Sequence, residues 1–172
     1  DLETNEAIAV KIQRIPGVEK IHQLRTRLMG QDIYVDVHVL VDPYISVSAG
    51  HYIAQDVHQT LMKEFKQIKD VTVHIDPEDD EIESLALQLP NLKEIADKLV
   101  NPLRKLHPEI MDWNVHFLNQ EMQLDFIIDP NKANWSMLQK NLKLQAMNFH
   151  SAINSIRLLS ENSTIVILQQ NP

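Results

Sequence analysis

Ile33, Val35, Val37, Val39 and Val41 occupy every second position of one stretch, and that alternation is the tightest constraint on what the chain can become. Side chains of a strand point alternately to its two faces, so these five share one face and their neighbours share the other. β-Branched residues suit a pleated, half-buried surface. The stretch predicts a strand laid on an apolar core and ended by Asp42-Pro43, with Asp36 and His38 on the opposite face.

The flanking residues complete a small unit. Ala7, Ile8, Lys11, Ile12 and Ile15 form a helical stripe that stops at Pro16-Gly17. Val18 to Met29 reads as a strand that turns at Gly30-Gln31-Asp32. Ser46 or Ser48 can cap a helix in which Ile53, Val57, Leu61 and Phe65 recur every four residues. Val71, Val73 and Ile75 make a last short strand. The order is helix, strand, strand, helix, strand.

The acidic run Asp76-Pro77-Glu78-Asp79-Asp80-Glu81 then breaks the pattern as a linker would. After it the order repeats. Asn91 and Glu94 have the spacing of a capping box, and Leu92, Ile95, Leu99, Leu103 and Leu106 follow at helical spacing, with Pro102 as a kink or early end. Trp113, Val115 and Phe117 alternate, as do Met122, Leu124, Phe126 and Ile128. Residues 131–150 read as a helix, and Ile156 to Leu159 and Thr164 to Leu168 as strands. Pro16 answers Pro108, and Val41-Asp42-Pro43 answers Ile128-Asp129-Pro130. The reading is an α+β chain with a divergent tandem duplication: a first domain at 1–80, a linker at 81–90 and a second domain at 91–172. A single larger α+β domain is the alternative.

Charge narrows the partners. The chain carries 16 Lys+Arg against 24 Asp+Glu, a net charge of −8 that opposes nucleic acid and anionic membrane surfaces and leaves cations open. Residues 1–80 hold 14 of the acids and 8 of the bases, net −6. Cysteine is absent, which excludes disulfides, thiolate zinc fingers and cysteine nucleophiles. No stretch reaches the ~18–20 apolar residues needed to span a bilayer. The first residues are Asp1-Leu2-Glu3 without an initiator Met, which reads as a fragment from which a membrane part has been cut.

Five of the eight histidines lie between positions 22 and 74: His22, His38, His51, His58 and His74. His38 stands beside Asp36 on the polar face of its strand. His74 and Asp76 lie two apart on the last strand and point the same way. His51 lies near the start of the second helix. Imidazole nitrogen with carboxylate oxygen and no sulfur suits Zn²⁺, Mn²⁺, Fe²⁺, Co²⁺ or Ni²⁺. Neither the His-Glu-x-x-His pattern nor a calcium-loop pattern occurs, and no base or nucleophile set points to an enzyme.

The segments Pro16-Gly17-Val18, Ile21-His22-Gln23-Leu24-Arg25-Thr26-Arg27, Asp36-Val37-His38-Val39, Val47-Ser48-Ala49-Gly50-His51-Tyr52-Ile53-Ala54 and Val71-Thr72-Val73-His74-Ile75-Asp76-Pro77 come in an order that resembles the C-terminal cytoplasmic domain of cation diffusion facilitators. The resemblance covers about residues 4–80. These proteins are membrane antiporters that export divalent cations in exchange for protons. The resemblance implies a two-layer, metallochaperone-like (ferredoxin-like) αββαβ sandwich that homodimerises on the cytoplasmic side of the cell membrane, below an N-terminal transmembrane domain of the same full-length chain. It also implies a binuclear metal site at the dimer interface, with ligand positions on His22, His38, His51, His74 and Asp76, and Zn²⁺ as the expected ion ahead of Mn²⁺ or Fe²⁺. It implies no enzymatic activity. His58 is outside those positions and is expected on the solvated surface. Asp36 and Asp42 are expected only to support the ligands. Arg25 and Arg27, in the Leu-Arg-Thr-Arg motif, are expected in a structural ion pair or interface contact.

The second half departs from this pattern. Aligning the Asp-Pro pairs puts Asp125 where the first half has His38 and Leu138 where it has His51; aligning the prolines puts Asn114 at His22. His107, His116 and His150 are not brought together by their spacing. The expectation is a second copy that has lost the metal site.

Overall fold

The computed structural model describes residues 2–79, 88–161 and 163–169, and the chain divides into two compact units, Asp1–Glu83 and Ser84–Pro172. Most of the segment expected as a linker lies outside the described residues.

In the first unit the order is α1 (Leu2–Ile12), β1 (Lys20–Met29), β2 (Asp32–Leu40), α2 (Val47–Glu64) and β3 (Ile68–Asp76). The three strands form one sheet in the order β1-β2-β3. β1 and β2 pair antiparallel around the turn at Gly30, whose φ of 68° suits glycine. β2 and β3 pair parallel, joined by the crossover helix α2. Val35, Val37 and Val39 are buried against Ile8 and Ile12 of α1 and Val57 and Leu61 of α2. The helices therefore cover one face of the sheet, and the even-numbered residues of β2 face away from them. Ser46 caps α2 by accepting a hydrogen bond from the Ala49 N–H at 3.1 Å. Phe65 is the C-cap of α2, one residue past the helix in which it was expected.

The second unit is built the same way, with additions. A helical path runs through α3 (Leu92–Ile95), a π-helical turn (Ala96–Val100) and α4 (Asn101–Leu106). Asn91 and Glu94 close the expected capping box. Pro102 does not end the path, which continues to Leu106. Its ring would clash with the carbonyl four residues back, and the preceding turn widens, so that the Asn101 N–H bonds the Ala96 carbonyl. β4 (Ile110–Leu118), β5 (Glu121–Ile128), α5 (Trp135–Phe149), β6 (Ile153–Ser160) and β7 (Ser163–Gln169) complete the unit. Its sheet has the order β4-β5-β6-β7, so a fourth strand pairs antiparallel with β6 on the side that has no strand at β3 in the first unit. Phe126, Leu124, Leu138, Leu142, Ile156 and Leu158 lie at its core. Both units are thus two-layer α+β sandwiches, αββαβ in the first and the same order plus β7 in the second.

Candidate metal centre

Parallel pairing of β2 with β3 sets the site. His38 stands opposite His74, Leu40 opposite Asp76 and Asp36 opposite Thr72. On the other side of β2, the register of β1 slips between Ile21 and Gln23, which leaves His22 in a bulge beside His38. A bulge re-aims one side chain, and here it turns an imidazole toward the polar ends of two neighbouring strands.

His22 Nε2 and His38 Nδ1 each lie 2.8 Å from the same oxygen, Asp76 Oδ2. The other nitrogen of His22 lies 3.2 Å from Asp79 Oδ1, and Lys20 Nζ donates to the second oxygen of Asp79 at 2.7 Å. Two carboxylates facing both nitrogens of one ring suit a doubly protonated imidazole. The hydrogen bond to Asp76 accordingly raises the His22 pKa above the ordinary histidine value, against the opposing effect of burial. Burial pushes the Asp76 carboxyl up, but the hydrogen bonds from His22 and His38 outweigh it and hold the pKa below the usual carboxylate range. The His38 ring meets His22 edge to face, with centroids 5.5 Å apart, and stacks on His74 at 4.2 Å with 9° between planes.

Two groups of donors result. One atom each from His22, His38 and Asp76 lies within 4.8 Å of the others, and so does one each from Asp36, His38 and His74. Both groups offer imidazole nitrogen and carboxylate oxygen, a donor set for borderline divalent ions rather than soft ones. His74 Nε2 lies 3.0 Å from Asp36 Oδ1 without the alignment of a hydrogen bond, and that oxygen is closed off from solvent with no hydrogen-bond partner among the described residues.

Four of the five expected ligand positions therefore meet: His22, His38, His74 and Asp76. His51 joins neither group. It lines a cleft of about 580 Å³ with His74, Asp76 and Asp42. Gly50 brings it there, because a Cβ on Gly50 would lie 3.2 Å from Ile75 Cγ2, so α2 packs close to β3 one residue before His51. His58 is half-buried, 3.9 Å from Asp70. Among the described residues Arg25 and Arg27 form no ion pair; they line a cleft with Asp36, Asp70 and Thr72. Asp36, expected only to support the ligands, is one of the three donors of the second group, and Asp79, not expected at the site, faces His22. Asp36 was within reach of sequence reasoning, since Asp36-x-His38 lies on one face of a strand whose parallel neighbour carries His74.

The second unit requires a correction. Its hairpin closes at Leu118 opposite Glu121, as the first closes at Met29 opposite Asp32. Four residues on from Glu121 and Asp32 stand Asp125 and Asp36. The register shift near the start of β5 and β6 repeats that of β2 and β3, so Asp125 faces Arg157 as Asp36 faces Thr72. Asp125 thus matches Asp36, and Ile127, not Asp125, matches His38. Met111, in the bulge of β4, matches His22, where Asn114 was expected. From the helix caps Ser46 and Asn134, Gln139 rather than Leu138 matches His51. The Asp-Pro pairs mislead because the chain between strand end and Asp is two residues shorter after Ile128 than after Val39.

At Asp125 a guanidinium takes the neighbouring place. Arg157 Nε donates to Oδ1 at 2.8 Å and its Nη2 to Oδ2 at 2.5 Å, while His116 Nε2 lies 3.1 Å from Oδ2. Burial raises the Asp125 pKa, but the Arg157 and His116 hydrogen bonds outweigh it and lower it overall. His107 is tied up elsewhere, to Glu109 at 3.0 Å and Asn141 at 2.9 Å, and His150 accepts the Ala152 N–H.

Residues 1–78 match the family described as cation efflux protein, cytoplasmic domain. Metal tolerance protein 2 of Oryza sativa subsp. japonica is 39% identical over 70 residues, which cover 41% of this chain and 18% of that protein. The cation-efflux pump FieF of Pectobacterium atrosepticum is 36% identical over 75 residues, covering 44% of this chain and 25% of the pump. The chain therefore spans a quarter or less of the length of these relatives. A solved MamM-CTD structure is 29% identical and covers 45% of this chain and 100% of its own, with a TM-score of 0.43.

Proposed function

We propose that the chain is the metal-sensing and dimerising cytoplasmic portion of a cell-membrane exporter of divalent cations, a role supported by the match of residues 1–78 to the cation efflux cytoplasmic domain and by the clustered imidazoles. Zn²⁺ is the ion the donor set favours, with Mn²⁺ and Fe²⁺ as the alternatives. The observation that carries this reading is the convergence of His22, His38, Asp76, Asp36 and His74 into two groups of three donors on the sheet face turned away from the helices.

Three donors leave a tetrahedral ion one ligand short. A second copy of the chain can supply the missing ligand, and His51, which shares a cleft with His74 and Asp76, is the donor we assign to an ion held between copies. Two copies of residues 1–80, each of net charge −6, repel until cations neutralise their carboxylates. Ions that bind only the closed pair shift the population toward it by RT ln(1 + [L]/Kd), about 2.7 kcal/mol per site at a hundredfold excess over Kd. The closed pair then favours the transport-competent state of an N-terminal membrane domain on the same full-length chain, which couples efflux to proton exchange and to the metal level.

Calorimetric titration of the metal-free chain with Zn²⁺ and Mn²⁺, beside the His74→Ala/Asp76→Ala variant, tests this reading. Saturable uptake of about two Zn²⁺ per chain is expected, lost in the variant and accompanied by tighter dimerisation in sedimentation. Tight Mn²⁺ with weak Zn²⁺ would change the ion. No uptake of either would end the sensing reading and leave a structural dimerisation module.

A further inference from the structure

We propose that Asp36 is itself a metal ligand, and that with His38 and His74 it forms a second cation position beside His22, His38 and Asp76; this rests on the sensing role proposed above. The geometry is the first ground. Asp36, His38 and His74 each place a donor atom within 4.8 Å of the others. The stacking of His38 on His74 holds both rings in place. The second ground is the state of the carboxylate. Asp36 Oδ1 is shut off from solvent and accepts no hydrogen bond, although His74 Nε2 is only 3.0 Å away. The Asp36 side chain as a whole is 42% exposed, but this one oxygen has no hydrogen-bond partner among the described residues, and a cation at that point would satisfy it.

The third ground comes from the other unit. Asp125 occupies the same register position, and there the neighbouring strand supplies Arg157, which grips both carboxylate oxygens. The first unit has Thr72 in that place. Arg25, opposite Asp36 on β1, makes no ion pair with it among the described residues. An aspartate at this position therefore has a cation where the fold provides one, and at Asp36 the surrounding groups are imidazoles suited to holding a metal ion. His38 belongs to both groups, so the two positions are coupled through one ring.

Zn²⁺ titration of the whole chain separates the outcomes. The native chain should show two binding steps. Asp36→Asn, which keeps the side-chain shape, should weaken one step at least tenfold and leave the other within threefold. His74→Gln should weaken that same step, and Asp76→Asn the other. Circular dichroism of each metal-free variant establishes that it is folded before titration. An Asp36→Asn chain that titrates like the native one overturns the role of Asp36 and leaves the sensing reading intact. Loss of different steps in Asp36→Asn and His74→Gln also overturns it. A native chain that takes up no Zn²⁺ overturns the sensing reading and this inference together.

Discussion

Asp36 and Asp125 stand at the same register position of two strand pairings built alike, one among imidazoles and the other against a guanidinium. The difference shows how one backbone arrangement can set an aspartate either against a built-in guanidinium or among imidazoles. Arg157 cannot leave, is always charged and grips Asp125 bidentately, so the cluster of the second unit is satisfied within the chain. Among the described residues the Asp36 cluster has a carboxylate oxygen with no hydrogen bond, and its neighbours are imidazoles rather than a guanidinium. The neighbouring side chains, Thr72 on β3 and Arg157 on β6, make the difference between the two aspartates.

The largest effect is expected where the built-in cation is removed. Arg157→Met leaves the Asp125 carboxylate buried with only neutral or weak partners. The side chain of Asp125 is 6% exposed, and breaking one partner of a buried pair costs about 3–5 kcal/mol. Partial exposure of Arg157 places the expectation at the lower end, about 3 kcal/mol. Both tryptophans, Trp113 and Trp135, lie in the second unit and all three tyrosines, Tyr34, Tyr44 and Tyr52, in the first. Urea unfolding followed by tryptophan fluorescence should therefore show the loss, with Zn²⁺ uptake unchanged. A tryptophan-reported midpoint that does not move would break the contrast.

A graft in the opposite direction sharpens it. Thr72 is exposed and faces Asp36 across the parallel pair, as Arg157 faces Asp125. Thr72→Arg should place a guanidinium on Asp36 and compete with metal there, so the Zn²⁺ step that depends on Asp36 should weaken about tenfold, or about 1.4 kcal/mol. The tyrosine-reported stability of the metal-free first unit should hold or rise. Unchanged affinity in a folded Thr72→Arg chain would mean that the register position alone does not set the chemistry.

Much of this arrangement was legible in the residues, and the illegible part has a physical cause. Strict alternation from Ile33 to Val41 and the recurrence of Ile53, Val57 and Leu61 are local signals, and they yield strand and helix directly. The convergence of His22, His38, His74 and Asp76 came from a resemblance and matches what strand order and register produce. Asp36 was expected only in a supporting part because His74 is 38 residues away in the chain and comes within 3.0 Å of it through the parallel register of β2 with β3. The match of the second unit to the first slipped because it was anchored on Asp-Pro pairs in a connection of variable length, whereas hairpin turns and bulges keep the register. The widened turn at Ala96–Val100 is a response to Pro102 that periodicity alone does not show.

The smallest expected effect is a difference in which end of the pH scale each unit feels. His22 has a raised pKa in the fold, so its pairing with Asp76 stabilises the metal-free first unit fully below the unfolded histidine value of about 6.5. That contribution is lost as pH rises through the folded value. Asp125 has a lowered pKa, so its contribution to the second unit is complete above the unfolded value of about 3.9 and is lost as pH falls through the folded one. Asp76 adds a loss of the same acid-side kind to the first unit. In metal-free chain, the urea midpoint seen by tyrosine difference absorbance should fall as pH rises above about 6.5, while the tryptophan-reported contribution of Asp125 stays constant there and falls only below about 3.9. Zn²⁺ should act against the first trend, because an ion requires deprotonated imidazoles and binds better as pH rises. Midpoints of the two probes that move in parallel across this range, with and without Zn²⁺, would show that the units do not differ as their aspartates suggest.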